Sequence, residues 1–361
     1  MNRVSWILIF FVASLGLSAQ VAKYSNEFLA VGVGARALAM GNANIVSAND
    51  VSCGYFNPAG LLKIKTKYQV SLMHAEYFAG IAKYDYGAIA VQVDSQSVAA
   101  LTVIRFGVDN IPNTLQLVDA NGNVDYNRIS TFGVTDFAAL MSYARKLKVL
   151  KGINFGTTGK IIRRTFGPFG GAWGFGFDVG ASYSYKKWNF AVVGRDITGT
   201  FNAYTFNLSQ QDQATLAATG NAIPANSVEV TVPRLIIGAS RLFNVWKNKI
   251  TVLPEVNIVT TFDGRRNTLI RSNAFSMDPV VGIEVGYLGI VYLRGGINNI
   301  QQATNINNST YTSLAPSIGV GIKYKALTLD YALTNFGDNE LGLYSNIFSV
   351  KIDIHKLALP K

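Results

Sequence analysis

The segment Ala172–Tyr185 reads AWGFGFDVGASYSY, and its side chains alternate between two kinds. Apolar and aromatic residues occupy every second position from Trp173 to Tyr185, while glycine, serine and Asp178 occupy the positions between them. Because successive side chains of a β-strand point to opposite faces, this pattern predicts a strand with one apolar face and one face of small and polar groups. Such a strand suits the wall of a membrane β-barrel, with the apolar face toward lipid.

The same alternation recurs along the chain and predicts an antiparallel transmembrane β-barrel of about 14 strands, an even number as bacterial barrels require. The predicted strands span 66–76, 80–94, 98–107, 131–145, 152–164, 172–185, 188–197, 228–242, 249–262, 276–288, 290–298, 315–325, 327–335 and 345–355. The connections alternate between short and long, except at the first hairpin near 77–79, which predicts short periplasmic turns, long outer loops and two periplasmic termini. Aromatic residues at the strand ends disfavour the alternative of a soluble β-sandwich. Pro254 lies within a predicted strand, where we expect a bulge.

Composition supports a membrane protein that crosses the bilayer with strands. The chain has 361 residues, of which 49% are hydrophobic and only 15% are charged, whereas soluble domains carry about 25% charged residues. Beyond the N-terminus, no stretch has the roughly 18 consecutive apolar residues of a membrane helix. The single cysteine, Cys53, excludes an internal disulfide and a multi-cysteine zinc site, and we expect it to pack as a small apolar group.

The N-terminus has the features of a signal peptide. Arg3 precedes an apolar run over 4–12, and Ser18-Ala19 offers a small-residue cleavage site. We therefore predict a signal peptide at 1–19, a periplasmic N-terminus and lumen hatch at 20–65, the barrel at 66–356 and a C-terminal tail at 357–361. The mature chain is expected outside the cytoplasm.

The stretch Gly32–Leu62 does not alternate, because glycine, asparagine and other small residues dominate it. Asn57-Pro58 favours a turn, and we predict that the stretch folds as a plug inside the barrel. The candidate plug residues are Gly32, Gly34, Arg36, Gly41, Asn57, Pro58 and Gly60. A surface loop is one alternative. A dinucleotide-binding turn is the other, but no βαβ pattern follows it.

Two motifs in this region carry a resemblance to known families. Asn57-Pro58-Ala59-Gly60-Leu61 resembles the Asn-Pro-Ala box in the hatch of FadL-type outer-membrane barrels, and the run Glu27–Gly41 resembles the start of the PorV/PorQ family. The second resemblance implies a non-enzymatic component of the type IX secretion system in the outer membrane of a Gram-negative, Bacteroidota-like cell. Its expected partners are outer-membrane lipid, other secretion subunits and secreted cargo proteins. PorV-like and PorQ-like roles both stay open.

The alternative function is a FadL-like channel for hydrophobic small molecules. It needs an apolar pocket between the hatch and the wall. The predicted inward positions include Asp178, Glu284 and Lys323, and these charges disfavour an apolar tunnel.

The chain is basic, with a formal net charge of +11. Lysines concentrate at the predicted periplasmic end, and the candidate basic rim consists of Lys146, Lys148, Lys151, Lys186, Lys187, Lys247 and Lys249. These side chains would extend to anionic lipid headgroups or would dock an acidic periplasmic partner. A nucleic acid is not an expected partner, because the chain is exported and has no recognition motif.

The sequence offers no catalytic site, cofactor site or metal site. It has no nucleophile elbow and no persuasive pair of carboxylates, so we expect no enzyme activity. Asp119, Asn121, Asn123 and Asp125 alternate as in calcium loops. The Asn121-Gly122 dipeptide between two short apolar runs instead favours a β-hairpin.

Overall fold

The computed structural model describes residues 25–118, 122–147, 152–304, 309–334 and 345–355. The predicted signal peptide and C-terminal tail lie outside the described residues. Within those residues, no helix is long and apolar enough to span a membrane.

The described chain consists mainly of antiparallel strands, which we number in chain order. They are β1 (Tyr68–Tyr77), β2 (Ala82–Gln92), β3 (Ser97–Asn113), β4 (Ser130–Lys146), β5 (Ile153–Phe166), β6 (Gly170–Tyr185), β7 (Trp188–Arg195), β8 (Thr200–Phe206), β9 (Ser227–Thr231), β10 (Arg234–Arg241), β11 (Phe243–Val245), β12 (Ile250–Thr261), β13 (Ile270–Arg271), β14 (Ser276–Tyr287), β15 (Val291–Thr304), β16 (Thr310–Tyr324), β17 (Leu327–Thr334) and β18 (Ser345–Ile354).

The strands close into a barrel because β1 pairs with β18, with Tyr68 opposite Ile354. Two short strands, β8 and β9, extend the wall above β7 and β10, and β11 continues β10 along β12. The two-residue strand β13 pairs only with the outer end of β14. Merging β8, β9 and β11 with their neighbours and leaving β13 aside gives a wall of fourteen strands, so the predicted closed antiparallel barrel is confirmed. We call the end that carries the turns at 93–96, 186–187 and 246–249 the inner end and the opposite end, which includes the turn at 78–81, the outer end.

The two faces of the wall differ as the alternation predicts. On β6, Trp173, Phe175 and Phe177 are about half exposed on the outside, whereas Gly174 and Asp178 are buried on the inside.

One outward patch on β1–β3 departs from this pattern. The imidazole Nδ1 of His74 lies 2.7 Å from Oδ1 of Asp85, and Nη1 of Arg105 lies 3.3 Å from the other Asp85 oxygen. These three residues are cross-strand partners, with Asp85 in the middle. Pairing offsets part of the cost of charges that face outward.

The structure corrects two details of the predicted wall. The bulge expected at Pro254 is absent: β12 pairs with β14 without a register shift, and its other ladder keeps one register across a gap at Arg241–Pro254 and Leu242–Leu253. Proline lacks the N–H that the ladder needs, so a missing pair suffices there. The strand predicted over 228–242 is instead two strands, separated by Val232-Pro233. Register shifts lie elsewhere, after Val108 in β3 and after Asn298 in β15.

Short helices build the hatch inside the barrel. They are the 3₁₀-helices Glu27–Leu29 and Pro58–Lys63 and the α-helices Ala35–Ala39 and Cys53–Phe56. Apolar hatch side chains such as Val33, Met40 and Val51 are fully buried, so the hatch and the inner face of the wall share one core.

Two helices lie in the outer connections, the 3₁₀-helix Tyr126–Arg128 and the α-helix Gln210–Ala218. The second helix lies in a region predicted only as a loop. Its signal is the capping box of Ser209 and Asp212. Val118 and Val124 form an antiparallel bridge, while residues 119–121 of the predicted hairpin lie outside the described residues.

Candidate functional site

Glycines on the inner face of the wall let the hatch backbone approach closely. A Cβ atom at Gly296 would lie 2.1 Å from the carbonyl carbon of Met40, and one at Gly156 would lie 2.4 Å from that of Pro58. A Cβ at Gly282 would likewise lie 2.5 Å from the Met40 carbonyl oxygen, while one at Gly180, Gly319 or Gly238 would lie within 2.5 Å of the side chain of Asn57, Ala39 or the wall residue Asn257. Only glycine allows a backbone contact of this kind. The small inward residues of the strands therefore form the seat of the hatch.

Asn57 and Pro58 fix the inner part of the hatch to β6. The Asn57 side chain accepts a hydrogen bond from the Ala59 N–H at 3.1 Å and donates to the carbonyl oxygens of Ile45 at 3.1 Å and Ala181 at 3.4 Å. Pro58 occupies the first turn of the following helix, where its missing N–H costs nothing. Gly60 packs against Cys53, since a Cβ there would lie 2.7 Å from Sγ.

Gly32, Gly34 and Gly41 lie in the outer part of the hatch, and all three have positive φ. Gly41 has φ 62°, and a Cβ there would meet the Ile297 backbone nitrogen at 2.9 Å. This glycine is therefore required both for its conformation and for its closeness to β15.

Arg36 connects the hatch to a buried ion network on the wall. Its guanidinium donates to both Glu284 oxygens, at 2.8 and 3.1 Å. Arg294 bridges Glu284 at 2.6 Å and Asp330 at 2.7 Å. Burial alone would lower the pKa of Arg36, but the Glu284 carboxylate raises the pKa above its ordinary value. The inward charge of Glu284 is thus neutralised by the hatch and by β15.

Two further carboxylates hold the middle of the hatch. Glu255 of β12 accepts hydrogen bonds from the backbone N–H groups of Val46 and Ser47, both at 2.8 Å. Asp50 of the hatch pairs with Lys351 of β18 at 3.0 Å. Burial alone would raise the pKa of Asp50, but Lys351 lowers it below the ordinary range.

The other hatch features are structural. Burial raises the pKa of the Cys53 thiol to about 12, so this cysteine is unreactive at neutral pH. Within the described part of the chain, no group of three or more histidine, cysteine or acidic side chains is arranged to hold a metal ion.

Of the three inward charges that disfavoured an apolar tunnel, Asp178 and Glu284 are buried and paired, and Lys323 lies away from the cavity. Asp178 pairs with Lys160 at 2.7 Å, and Lys160 also pairs with Asp196. Lys323 lies exposed beside a turn at the inner end. These charges therefore leave the rest of the lumen free for other contacts.

A cavity of about 720 Å³ lies in the lumen beside the outer part of the hatch. Phe28 of the hatch, Tyr77 and Phe78 of the β1–β2 hairpin, and Phe106 of β3 line one side. Asn257 of β12 and Asp278 of β14 line another side. The sequence analysis identified none of these residues as a site, because they come together only through the strand register. A volume of this size is typical of small-molecule sites, which span about 300–1,000 Å³.

The basic rim has a separate location. Lys146, Lys186, Lys187, Lys247 and Lys249 are exposed at the inner end, while Lys148 and Lys151 lie outside the described residues. Lys186 and Lys249 lie over the rings of Tyr185 and Trp246, at 5.2 and 5.1 Å from the ring centroids. None of the five forms an ion pair with another described residue. Aromatic rings beside exposed lysines are typical of a membrane interface.

Comparisons with known proteins support the fold. No protein-family model and no curated protein matches the sequence. Among solved structures, the chain is similar to the CymD monoaromatic hydrocarbon channel, with a TM-score of 0.55, 12% identity and coverage of 90% of this chain and 98% of that one. It is also similar to the Ralstonia pickettii toluene transporter TbuX, with a TM-score of 0.55, 13% identity and coverage of 90% of this chain and 99% of that one. For a Pseudomonas aeruginosa FadL homologue the TM-score is 0.50 and the identity 11%, with coverage of 90% of this chain and 98% of that one. The chain therefore has the fold of FadL-type outer-membrane channels.

Proposed function

We propose that this protein is a hatch-closed outer-membrane channel that takes up small, largely apolar molecules. The single observation that carries the proposal is the cavity of about 720 Å³ between the hatch and the outer part of the wall. Its aromatic side suits an apolar guest, and the charges that argued against such a guest are paired elsewhere. The fold likeness to channels described as hydrocarbon transporters supports this reading. The proposal includes no catalytic step.

In this proposal, the inner end faces the periplasm, so both ends of the barrel chain are periplasmic. Short turns belong on that side in outer-membrane barrels. The exposed lysines of the rim then meet the headgroups of the inner leaflet. The outer connections, with the cavity beneath them, face the cell exterior.

An uptake assay tests the function with a matched pair of variants on one strand. Ile236 is 5% exposed and borders the cavity, whereas its neighbour Ile237 is 48% exposed on the lipid side. The protein would be expressed in a Gram-negative host that lacks its own hydrocarbon channel, and entry of radiolabelled ethylbenzene would be followed. We expect faster entry with the wild type and with Ile237→Trp, and entry close to the empty-vector rate with Ile236→Trp. Equal entry with and without the wild-type protein would refute the proposal.

A role in type IX secretion is the second candidate, and the run Glu27–Gly41 favours it through its resemblance to the PorV/PorQ family. In this role, the exposed rim lysines would dock an acidic subunit or cargo protein at the periplasmic face. Deleting the gene in its native host tests it. The type IX role predicts that secreted proteins accumulate in the periplasm while ethylbenzene entry stays normal. The channel role predicts the reverse.

A further inference from the structure

Several buried polar atoms without a protein partner belong to residues at the border of the cavity. Asn257 is 1% exposed, and neither its Oδ1 nor its Nδ2 has a hydrogen-bond partner within the described protein. The same is true of Oδ1 of Asp278 and Oδ1 of the hatch residue Asn42. All three residues line the cavity. Buried polar groups in proteins are almost always paired, so unpaired ones beside a cavity leave hydrogen-bonding capacity for a guest there.

The strand register places two of these groups on one inward face. Asn257 lies opposite Val280, and Val259 lies opposite Asp278. Asn257 and Asp278 are therefore diagonal neighbours on adjacent strands, separated by roughly 7–8 Å between Cα atoms.

The aromatic residues lie across the lumen from this polar pair. In the closed wall, six strands separate β2 from β12 in either direction. Tyr77, Phe78 and Phe106, at the outer ends of β1 to β3, therefore face Asn257 and Asp278 from the opposite side. Beside the polar pair, Ile236, Val259 and Val280 also line the cavity. A small guest there would have its apolar body against these side chains and its polar group against Asn257 and Asp278.

The charges at the cavity border select the kind of polar group. Arg195, Arg234 and Arg266 line the cavity, against the carboxylates of Glu27 and Asp278. Arg234 pairs with Glu27 and Arg266 pairs with Asp263. The guanidinium of Arg195 then balances the Asp278 carboxylate, so the cavity has no net negative charge that would select a cationic head. The unpaired carboxylate oxygen of Asp278 disfavours an anionic one. A neutral hydroxyl fits, because it can donate to Asp278 and accept from Nδ2 of Asn257.

We propose that the cavity binds small hydroxylated molecules with an aromatic or other apolar body, such as alkylphenols, and that Asn257 and Asp278 hold the hydroxyl group. This inference rests on the proposed uptake function and specifies its substrate class. Neither the carboxamide of Asn257 nor Oδ1 of Asp278 bonds a described hatch residue, so a change at either position removes no hydrogen bond that holds the hatch.

Binding of a matched pair of probes tests the inference. 4-Ethylphenol and ethylbenzene differ only in the hydroxyl group, and the phenol is neutral at pH 7. Their affinities for the full chain in lipid nanodiscs would be measured by calorimetry. Asn257→Leu and Asp278→Leu keep the side-chain size while removing the polar atoms, and Asn189→Leu is the control. Asn189 lies near the inner end and bonds Ser184 instead of lining the cavity.

We expect each of the two cavity variants to lower the affinity ratio of 4-ethylphenol to ethylbenzene about tenfold, as the loss of one buried hydrogen-bond partner does. The Asn189→Leu variant should leave the ratio unchanged. An unchanged ratio in both cavity variants would overturn the inference while ethylbenzene binding still supports the channel. Tighter binding of 2-phenylethylammonium than of 4-ethylphenol would also overturn it. If neither neutral probe binds the wild type, the proposed function itself fails.

Discussion

The seat of the hatch can be tested with one methyl group at Gly296. A Cβ there would lie 2.1 Å from the Met40 carbonyl carbon and 2.2 Å from the Gly41 nitrogen. Non-bonded carbon atoms pack at about 3.5–4.0 Å, so in Gly296→Ala the hatch backbone would have to move by more than about 1 Å. Both contacts are with backbone atoms, which cannot rotate away as a side-chain end can.

The expected cost of this overpacking is about 1–3 kcal/mol of folding free energy. The substitution should destabilise the docking of the hatch and not the wall, because Gly296 lies on a paired strand opposite Gly282. Gly295 is the matched control: it points outward, and a Cβ there would meet nothing closer than 3.9 Å.

Limited proteolysis and denaturant unfolding of the refolded protein measure the two effects. We expect Gly296→Ala to speed cleavage within residues 25–65 and to lower the unfolding midpoint, with the strands still resisting protease. Gly295→Ala should match the wild type. If the two alanine variants behave alike, the hatch does not seat against these glycines, and the account of the lumen is wrong.

Three further predictions concern the hatch ion network, the orientation and the lipid face. Arg36→Ala should destabilise hatch docking by about 1–3 kcal/mol, and a double-mutant cycle with Glu284→Gln should show coupling above about 0.5 kcal/mol; additive effects would contradict the ion pair. Cysteine at Asn207 should react with an impermeant reagent in intact cells while cysteine at Lys187 should not, and reversed labelling would invert the proposed orientation. Phe177→Arg should cost about 2–4 kcal/mol if that position lies near the bilayer midplane, as measured by refolding into lipid vesicles; a neutral result would place it outside the bilayer.

The sequence predicts the wall well because each strand carries its own signal. The alternation from Trp173 to Tyr185 depends only on which face meets lipid, and lipid imposes the same pattern on nearly every strand. The sequence analysis did not predict the break at Val232-Pro233, because the side chains alternate on both sides of the proline and so read as one strand. The bulge expected at Pro254 was wrong, because a strand can leave two residues unpaired without inserting an extra one.

The sequence did not predict what the inward charges bind or where the cavity lies. Glu284 is an isolated carboxylate in the strand pattern, and its partner Arg36 is 248 residues away. Asn257 and Asp278 are brought together only by the register of β12 against β14. Such pairings depend on how the barrel closes and on how the hatch folds inside it. Neither produces a periodic pattern of residues in the sequence.

The central claim is that the hatch closes a barrel that would otherwise be open, and conductance across a planar bilayer tests it most directly. Eight strands already leave an interior that side chains fill, so a wall of fourteen strands encloses a pore once residues 32–60 are removed. The account predicts an inserted deletion variant with stable ion conductance, beside a wild-type protein that stays nearly silent. A deletion variant that inserts normally and conducts no better than the wild type would contradict the claim.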